Sequence, residues 1–254
     1  MQFDTRKDAH VLKIFREGFF MFSYYGSKSK VVNYYPPPKF NKIIEPFAGS
    51  ARYSLKYWQN DITIVDKYDV IVKIWKYLQQ SEKTDIIDLH EPKLGETITM
   101  EQYKCEGAFL LMSYVIKSGS ATPAYTVCKR RGEDGQISNI KKTIANQLFK
   151  IKHWKIIHGS YEDLENEEAT WFIDPPYQFG GEYYKESTKN IDFKKLAEWC
   201  KTRNGQVIVC ENTKATWLPF KPMKEMYGSR YKTTEAIWSN HKTNYDAVQQ
   251  SLQF

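Results

Sequence analysis

Ile62-Thr63-Ile64-Val65-Asp66 is a run of β-branched and apolar residues that stops on an acid. A run this short and this continuous reads as a strand buried on both faces, the kind that parallel sheets contain. Behind it, Val70, Ile71, Ile74, Trp75 and Leu78 fall at helical spacing and predict a helix over 69–79. The same unit recurs along the chain. Lys42-Ile43-Ile44-Glu45 reads as a strand, followed by a small-residue turn to Ala51 and a helical stretch over 52–59. Lys155 to His158 and Trp171 to Asp174 read as two more strands. A helix over 192–202, a strand from Gln206 to Cys210 and a last strand near Thr234–Trp238 complete the set. Strands alternating with helices predict an α/β fold: a parallel or mostly parallel Rossmann-like sheet with helices on both faces.

Residues 80 to about 150 break that rhythm. They are more polar and carry Lys129-Arg130-Arg131 beside Gly132-Glu133-Asp134-Gly135. They are expected to form a small inserted lobe with one helix, about 101–117, and one hairpin. Residues 1–79 and 151–254 then make one domain around it, and Pro36-Pro37-Pro38 is a rigid extension between a helix and the first strand. A chain of 254 residues can bury one substantial core with such an appendage. No stretch approaches the roughly 18 apolar residues that span a bilayer. The residues from Met1 to Asp8 lack a hydrophobic signal core, which argues against secretion. Cys105, Cys128, Cys200 and Cys210 show no Cys-x-x-Cys spacing, and the five histidines form no ligand pattern. Neither a disulfide framework nor a metal is expected, and a reducing cytoplasm is the simplest home.

In open α/β sheets, ligands bind beyond the carboxyl ends of the strands. Glu45-Pro46-Phe47-Ala48-Gly49-Ser50-Ala51 stands at such an end, where small residues let a ligand approach the backbone. Asp66 closes the next strand, about 20 residues on, where an acid can accept both hydroxyls of a ribose. The turn lacks the Gly-Lys-Ser/Thr ending of a phosphate loop, and Glu45 would repel phosphate. A nucleoside without phosphate, carrying a positive sulfonium and an amino-acid tail, suits this lining better. A plain strand-to-helix turn beside a surface acid accounts for the same residues and stays open here.

Asp174-Pro175-Pro176-Tyr177 says more. An apolar strand delivers an acid into two prolines, which fix their own φ angles and remove two amide donors. The Asp174 carboxylate and the Pro175 carbonyl are then two rigid acceptors. They could hold both hydrogens of an exocyclic amine, draw its nitrogen toward a tetrahedral shape and free the lone pair for attack on a sulfonium methyl. Such catalysis is positioning and electrostatics, with no covalent enzyme intermediate. The Tyr177 ring offers a platform for a base flipped out of a duplex.

With these pieces in order, the chain resembles the Dam-like, alpha-group DNA adenine-N6 methyltransferases. Phe22-Ser23-Tyr24-Tyr25-Gly26-Ser27-Lys28 is similar to that family's Phe-x-x-Trp-x-Gly-Gly-Lys opening, one position shorter between the Phe and the aromatic. Glu45 to Ser50 is similar to its Glu-Pro-Phe-x-Gly turn, Asp66 stands for its ribose-binding acid, and Asp174 to Tyr177 is its catalytic motif. Gly159-Ser160-Tyr161-Glu162-Asp163 is similar to the segment lining the cofactor's adenine, and Arg230–Trp238 to its closing hairpin strand. The resemblance spans roughly 20–80 and 155–240. It implies a class I methyltransferase sheet, S-adenosylmethionine as cofactor, and contacts to it from Tyr24, Gly26, Lys28, Glu45 to Ser50, Asp66, Ser160, Tyr161, Asp163 and Asp174. Lys28 would be the cation near the cofactor's carboxylate. Three residues depart from the pattern: Tyr24 replaces a Trp, Ser27 replaces a Gly, and Ala51 stands where a second turn glycine often stands.

The expected partner is double-stranded DNA, in the cytoplasm of a prokaryotic or phage-infected cell. A net charge of +7 suits a polyanion. Lys129, Arg130 and Arg131 form the first candidate for phosphate or guanine contacts, and Lys117 with Ser118 the second. Lys141 and Lys142 read as plain surface, Leu196 and Trp199 as core, and His158 as structural. Glu211-Asn212 ends a strand at the same sheet edge as the prolines, either lining a base pocket or capping a helix. Methylation of cytosine N4 or of RNA adenine remains an alternative; so does a DNA-binding subunit that needs a partner. A homodimer or helper chain is left open.

Overall fold

The computed structural model describes residues 20–117, 119–129, 131, 135–182, 184–185, 188–227, 232–243 and 245. The chain divides into two compact units. Residues 1–29, 49–58 and 70–154 form the first; residues 30–48, 59–69 and 155–254 form the second.

The second unit holds a seven-stranded sheet. Its strands are β1 (Lys42–Glu45), β2 (Asp61–Asp66), β3 (Lys155–His158), β4 (Ala169–Ile173), β5 (Gly205–Asn212), β6 (Lys221–Tyr227) and β7 (Lys232–Ser239), in the order β3-β2-β1-β4-β5-β7-β6. The pairs β1·β2, β1·β4, β2·β3 and β4·β5 are parallel, whereas β7 runs antiparallel to both β5 and β6. The mixed α/β architecture and mostly parallel sheet agree with the expected Rossmann-like class. The first five strands follow the order of doubly wound nucleotide-binding sheets, with the reversal between β1 and β4.

Sequence explains the inner strands. Every residue of β4 is buried, as are the six central residues of β5, which is why Trp171–Ile173 and Val207–Cys210 read as apolar runs. Gly205 opens β5 at φ +91°, where a Cβ would lie 2.2 Å from the Ala169 carbonyl oxygen. No other residue can begin that strand so close to its neighbour. The edge strand β6 had no such signature. Its Lys-Pro-Met-Lys-Glu-Met-Tyr sequence, with a register shift between Pro222 and Lys224, is polar because an edge needs charge and proline more than core residues.

One helix of this unit, Phe193–Lys201, starts at Asp192, whose carboxylate accepts from the Lys195 amide at 3.0 Å. Its Leu196, Ala197 and Cys200 pack with Ala169, Trp171, Ile173, Val207 and Val209, and Trp199 meets Trp171 edge-on at 5.4 Å. Leu196 and Trp199 thus belong to the core as the spacing predicts. Residues 36–40 are stitched to β4 and β5. The Lys39 and Phe40 amides donate to Thr170 Oγ1, the Lys39 amide also to Gln206 Oε1, and the Gln206 side chain returns a bond to the Pro37 carbonyl.

The first unit is helical. Taken in chain order, α1 is Arg52–Lys56, α2 Asp69–Gln80, α3 Lys83–Ile87, α4 Glu106–Val115 and α5 Gln136–Ala145; the helix of the second unit is α6. On α2, Ile71, Val72, Ile74, Trp75 and Leu78 are buried, close to the predicted stripe. Residues 80–150 depart from expectation: three α-helices stand where one helix and one hairpin were predicted, and the antiparallel pairing among the described residues there is a lone bridge, Thr97 to Thr126. Helix α5 buries Ile137, Ile140 and Ile144, a stripe visible in the sequence once the polar residues between are discounted. Lys141 sits beside that stripe and is 2% exposed, not plain surface. Its ammonium donates to the Leu89 carbonyl at 2.5 Å and pairs with Glu91 at 2.8 Å. A lysine can be buried when its stem packs and its head is fully met by acceptors.

No helix among the described residues is long and apolar enough to cross a membrane. None of the four cysteines is in a disulfide.

Candidate functional site

Within the second unit, the carboxyl ends of the parallel strands gather four acids: Glu45 closes β1, Asp66 closes β2, Asp174 follows β4 and Glu211 lies near the end of β5. The strand order reverses between β1 and β4, so Glu45 and Asp174 flank the point where doubly wound sheets bind ligands.

Asp66 and the turn after β3 are joined by the strand register. Asp66 is level with His158, its carbonyl accepts the Gly159 amide at 3.2 Å, and its Oδ1 accepts the Tyr68 amide at 2.9 Å. That last bond orients the carboxylate at the strand end. His158 Nε2 lies 3.1 Å from the Lys67 carbonyl, a structural role. Ser160 and Asp163 form a reciprocal cap on a single 3-10 turn. The Ser160 amide donates to Asp163 Oδ2 at 2.8 Å, and Ser160 Oγ accepts from the Glu162 amide. Asp163 therefore has a local structural task, whatever else it faces. Tyr161 is buried and stacks on Phe47 with centroids 5.6 Å apart, so the turn after β3 and the turn after β1 share an aromatic wall. Burial pushes the Tyr161 phenol up to about 12.

The Asp174–Tyr177 turn is held from β5 and β7. Pro175 and Pro176 are buried, and Asp174 is half-buried. The next amide, Gln178 N–H, donates to Glu211 Oε1 at 2.6 Å. Glu211 is fully buried; it also accepts from Trp217 Nε1 at 3.1 Å and, through Oε2, from the Asn212 amide at 2.8 Å. Asn212 Nδ2 donates to the Phe179 carbonyl at 2.8 Å. Glu211-Asn212 thus neither caps a helix nor stands idle. It clamps the loop behind the prolines. The Tyr177 hydroxyl donates to Glu235 on β7, and so does that of Tyr35. Neither Glu235 nor Tyr35 is visible as a site residue in the sequence, because their pairing rests on a separation of 200 residues.

The first unit holds the rest of the expected cofactor residues. Gly49 has φ +45°, and a Cβ there would meet the Tyr24 ring at 3.1 Å, so glycine is required by both backbone and neighbour. The Gly49 carbonyl accepts from Trp75 Nε1 at 2.9 Å. Ser27, where the family pattern has glycine, accepts from Ser50 Oγ at 3.0 Å and from Arg52 Nε at 2.9 Å. That hydroxyl joins the opening motif to the glycine turn. Arg52 is buried, lies 4.9 Å from the Phe20 ring centroid, and has its pKa lowered to about 9 by burial. Lys28 is 7% exposed, in the 3-10 turn Lys28–Lys30, and its Nζ donates to the Gly26 carbonyl at 3.3 Å. Ala51 takes φ 42° and ψ 47°, a left-handed conformation that is unusual for a residue with a Cβ.

Lys117 and Lys129 are exposed and can meet an anion. Arg131 is buried instead, with a guanidinium nitrogen 3.3 Å from Ser23 Oγ, so as placed it is not a surface contact. Ser118, Arg130 and Arg230 lie outside the described residues. No group of three or more His, Cys, Asp or Glu side chains that could hold a metal ion occurs among the described residues.

The strand-end residues of the second unit are compatible with S-adenosylmethionine by charge. Four carboxylates at strand ends disfavour phosphate and favour a cationic, phosphate-free nucleoside. Asp66 closes β2, and Phe47 with Tyr161 gives the same strand ends an aromatic wall. No protein-family model matches this chain, and no curated protein matches it.

Proposed function

We propose that this chain is an S-adenosylmethionine-dependent DNA methyltransferase that acts on the N6 amine of adenine. The observation that carries this reading is the gathering of Glu45, Asp66 and the Asp174–Tyr177 turn at the carboxyl ends of β1, β2 and β4, around the reversal of strand order. The family resemblance of the same residues, in the same order, supports it.

When bound, S-adenosylmethionine supplies an electrophilic methyl group on a sulfonium. Asp66 would bind the ribose diol, and Phe47 with Tyr161 would offer an aromatic surface to the nucleoside. Tyr24, Gly26, Lys28 and Gly49 to Ser50 are assigned to the cofactor by the resemblance. Asp174 and the Pro175 carbonyl would each accept one hydrogen of the target amine, orienting its lone pair. Their fixed placement contributes because no reorganisation is needed as charge moves from sulfur to nitrogen. Tyr177 would carry the flipped base on its ring. Lys117 and Lys129, on a chain of net charge +7, would meet phosphates and add salt-dependent affinity.

The test is transfer of labelled methyl from S-adenosylmethionine to duplex DNA, with matched RNA and free nucleosides alongside. Asp174→Ala should lower turnover by roughly a thousandfold while circular dichroism and melting stay as in the parent. Full activity in that variant would remove Asp174 from the reaction. Transfer to RNA alone, or methyl recovered on cytosine, would replace the adenine assignment.

A further inference from the structure

Tyr177 is not a loose platform. Its hydroxyl donates to Glu235 Oε1, and the same oxygen accepts from Tyr35. Glu235 lies on β7, level with Asn212 of β5 and Lys224 of β6, so the acceptor is carried by a paired strand. Tyr35 is 3% exposed and meets Phe172 of β4 edge-on, with centroids 5.0 Å apart and planes at 83°. The hydroxyls sit where desolvation, then the nearby acids, keep both phenols protonated far above their usual range. For Tyr177 those acids are led by Glu235; for Tyr35 the Cys210 thiol ranks ahead of Glu235. At neutral pH each tyrosine is thus a donor and Glu235 the acceptor. The main chain just beyond is fixed as well, by the Gln178 amide on Glu211. The hydroxyl bond to Glu235 ties the far end of the Tyr177 ring to β7.

We propose that Glu235 is a positioning residue: by accepting the Tyr177 hydroxyl it fixes the plane on which the target base stacks, and Tyr35 steadies the carboxylate by donating to the same oxygen. This rests on the methyltransferase reading above. A ring tilted or swung out would leave the amine misplaced against Asp174, and a displacement of about 1 Å at a reacting centre costs on the order of a hundredfold in rate. Because Glu235 acts through Tyr177, its loss should lower the chemical step more than cofactor binding.

The experiment has two arms. In the first, Glu235→Ala lowers kcat for methyl transfer roughly tenfold or more while KM for S-adenosylmethionine changes by less than about twofold. Glu235→Gln, whose carbonyl oxygen can still accept from tyrosine, restores most of kcat, and Tyr35→Phe falls between. With 2-aminopurine at the target position, the fluorescence of the bound duplex in Glu235→Ala departs from the parent, and in Glu235→Gln it follows the parent. In the second arm, which needs no activity, Tyr177→Phe, Glu235→Ala and their double variant are melted. Contact between the two predicts that the double variant melts no lower than the lower single one. Additive melting shifts, or unchanged kcat in Glu235→Ala, overturn the positioning role even if the parent methylates DNA. A parent that transfers no methyl group, with non-additive melting intact, overturns the methyltransferase reading and leaves the hydrogen-bonded pair standing without that task.

Discussion

Two turns in this protein are fixed by opposite means. The Asp174–Gln178 turn of the second unit is held by acceptors: two prolines contribute no amide donors, Glu211 takes the Gln178 amide, and Glu235 takes the tyrosine hydroxyl. The Gly49–Arg52 turn of the first unit is held by shape. Gly49 and Ala51 are both left-handed, the Tyr24 ring fills the space a Cβ would need, and Ser27 ties Ser50 to Arg52. The first turn must aim polar atoms without losing them to neighbouring groups, so it spends carboxylates on everything around them. Under the proposed function the second would let a ligand approach the backbone, and its positive φ at Gly49 and Ala51 suits that. The first should therefore break when an acceptor is removed, and the second when a methyl group is added.

Glu211→Ala is the strongest test of that contrast. It strands the Gln178 and Asn212 amides and Trp217 Nε1, all currently bonded to one buried carboxylate. A buried donor left unmet costs about 1–3 kcal/mol, so a loss of roughly 3–4 kcal/mol in urea unfolding is expected. Glu211→Gln keeps one acceptor oxygen and should lose about half as much. If Glu211→Ala unfolded within about 1 kcal/mol of the parent, water would be meeting those donors and the clamp would be no clamp.

Gly49→Ala attacks the other turn. The left-handed backbone costs an alanine about 1–2 kcal/mol, and the new Cβ would stand 3.1 Å from the Tyr24 ring. With the smaller entropy of the unfolded alanine chain offsetting part, a net loss of about 1–2 kcal/mol is expected. Trimming the ring in Tyr24→Ala should remove the steric share and leave the φ share, so the double variant falls short of the sum. Additive losses would mean that the ring moves aside freely and that shape does not hold this turn.

The same contrast accounts for what the sequence carried and what it hid. Strands β1, β2, β4 and β5 were legible because burial on both faces writes an apolar run, and because a strand end is marked by the residue that stops it, as Asp66 and Asp174 do. Gly49 was legible as a turn, though not its contact with Tyr24, 25 positions away in the chain. Glu235 and Tyr35 were hidden because a hydroxyl meeting a carboxylate across the sheet leaves no local pattern. Helix α5 was hidden differently: Ile137, Ile140 and Ile144 lie on one face, but the lysines between them pull the local average toward polar. Lys141 reads as surface in the sequence because its partners Leu89 and Glu91 lie 50 or so residues earlier. Arg131 was grouped with Lys129 by charge alone, and burial separates them.

Ala51→Gly is the smallest change and the most discriminating for the shape-held turn. Ala51 sits at φ 42° and ψ 47° as the N-cap of α1, with no side-chain cap bond. Glycine would relieve about 1–2 kcal/mol of left-handed strain, and it is the better of the two at an N-cap. Against that stand about 0.4–1 kcal/mol of extra unfolded-state entropy and the loss of one small buried methyl group. The balance is a gain of about 0.5 kcal/mol, or about 1–2 °C in melting temperature for a chain of this size. The sign is what matters: the same backbone that rejects a methyl at Gly49 should accept its removal two residues on. A variant less stable than the parent by about 1 kcal/mol would mean that the Ala51 methyl contributes more to packing than its strained backbone costs, and the turn would then be held by contact on both of its left-handed residues.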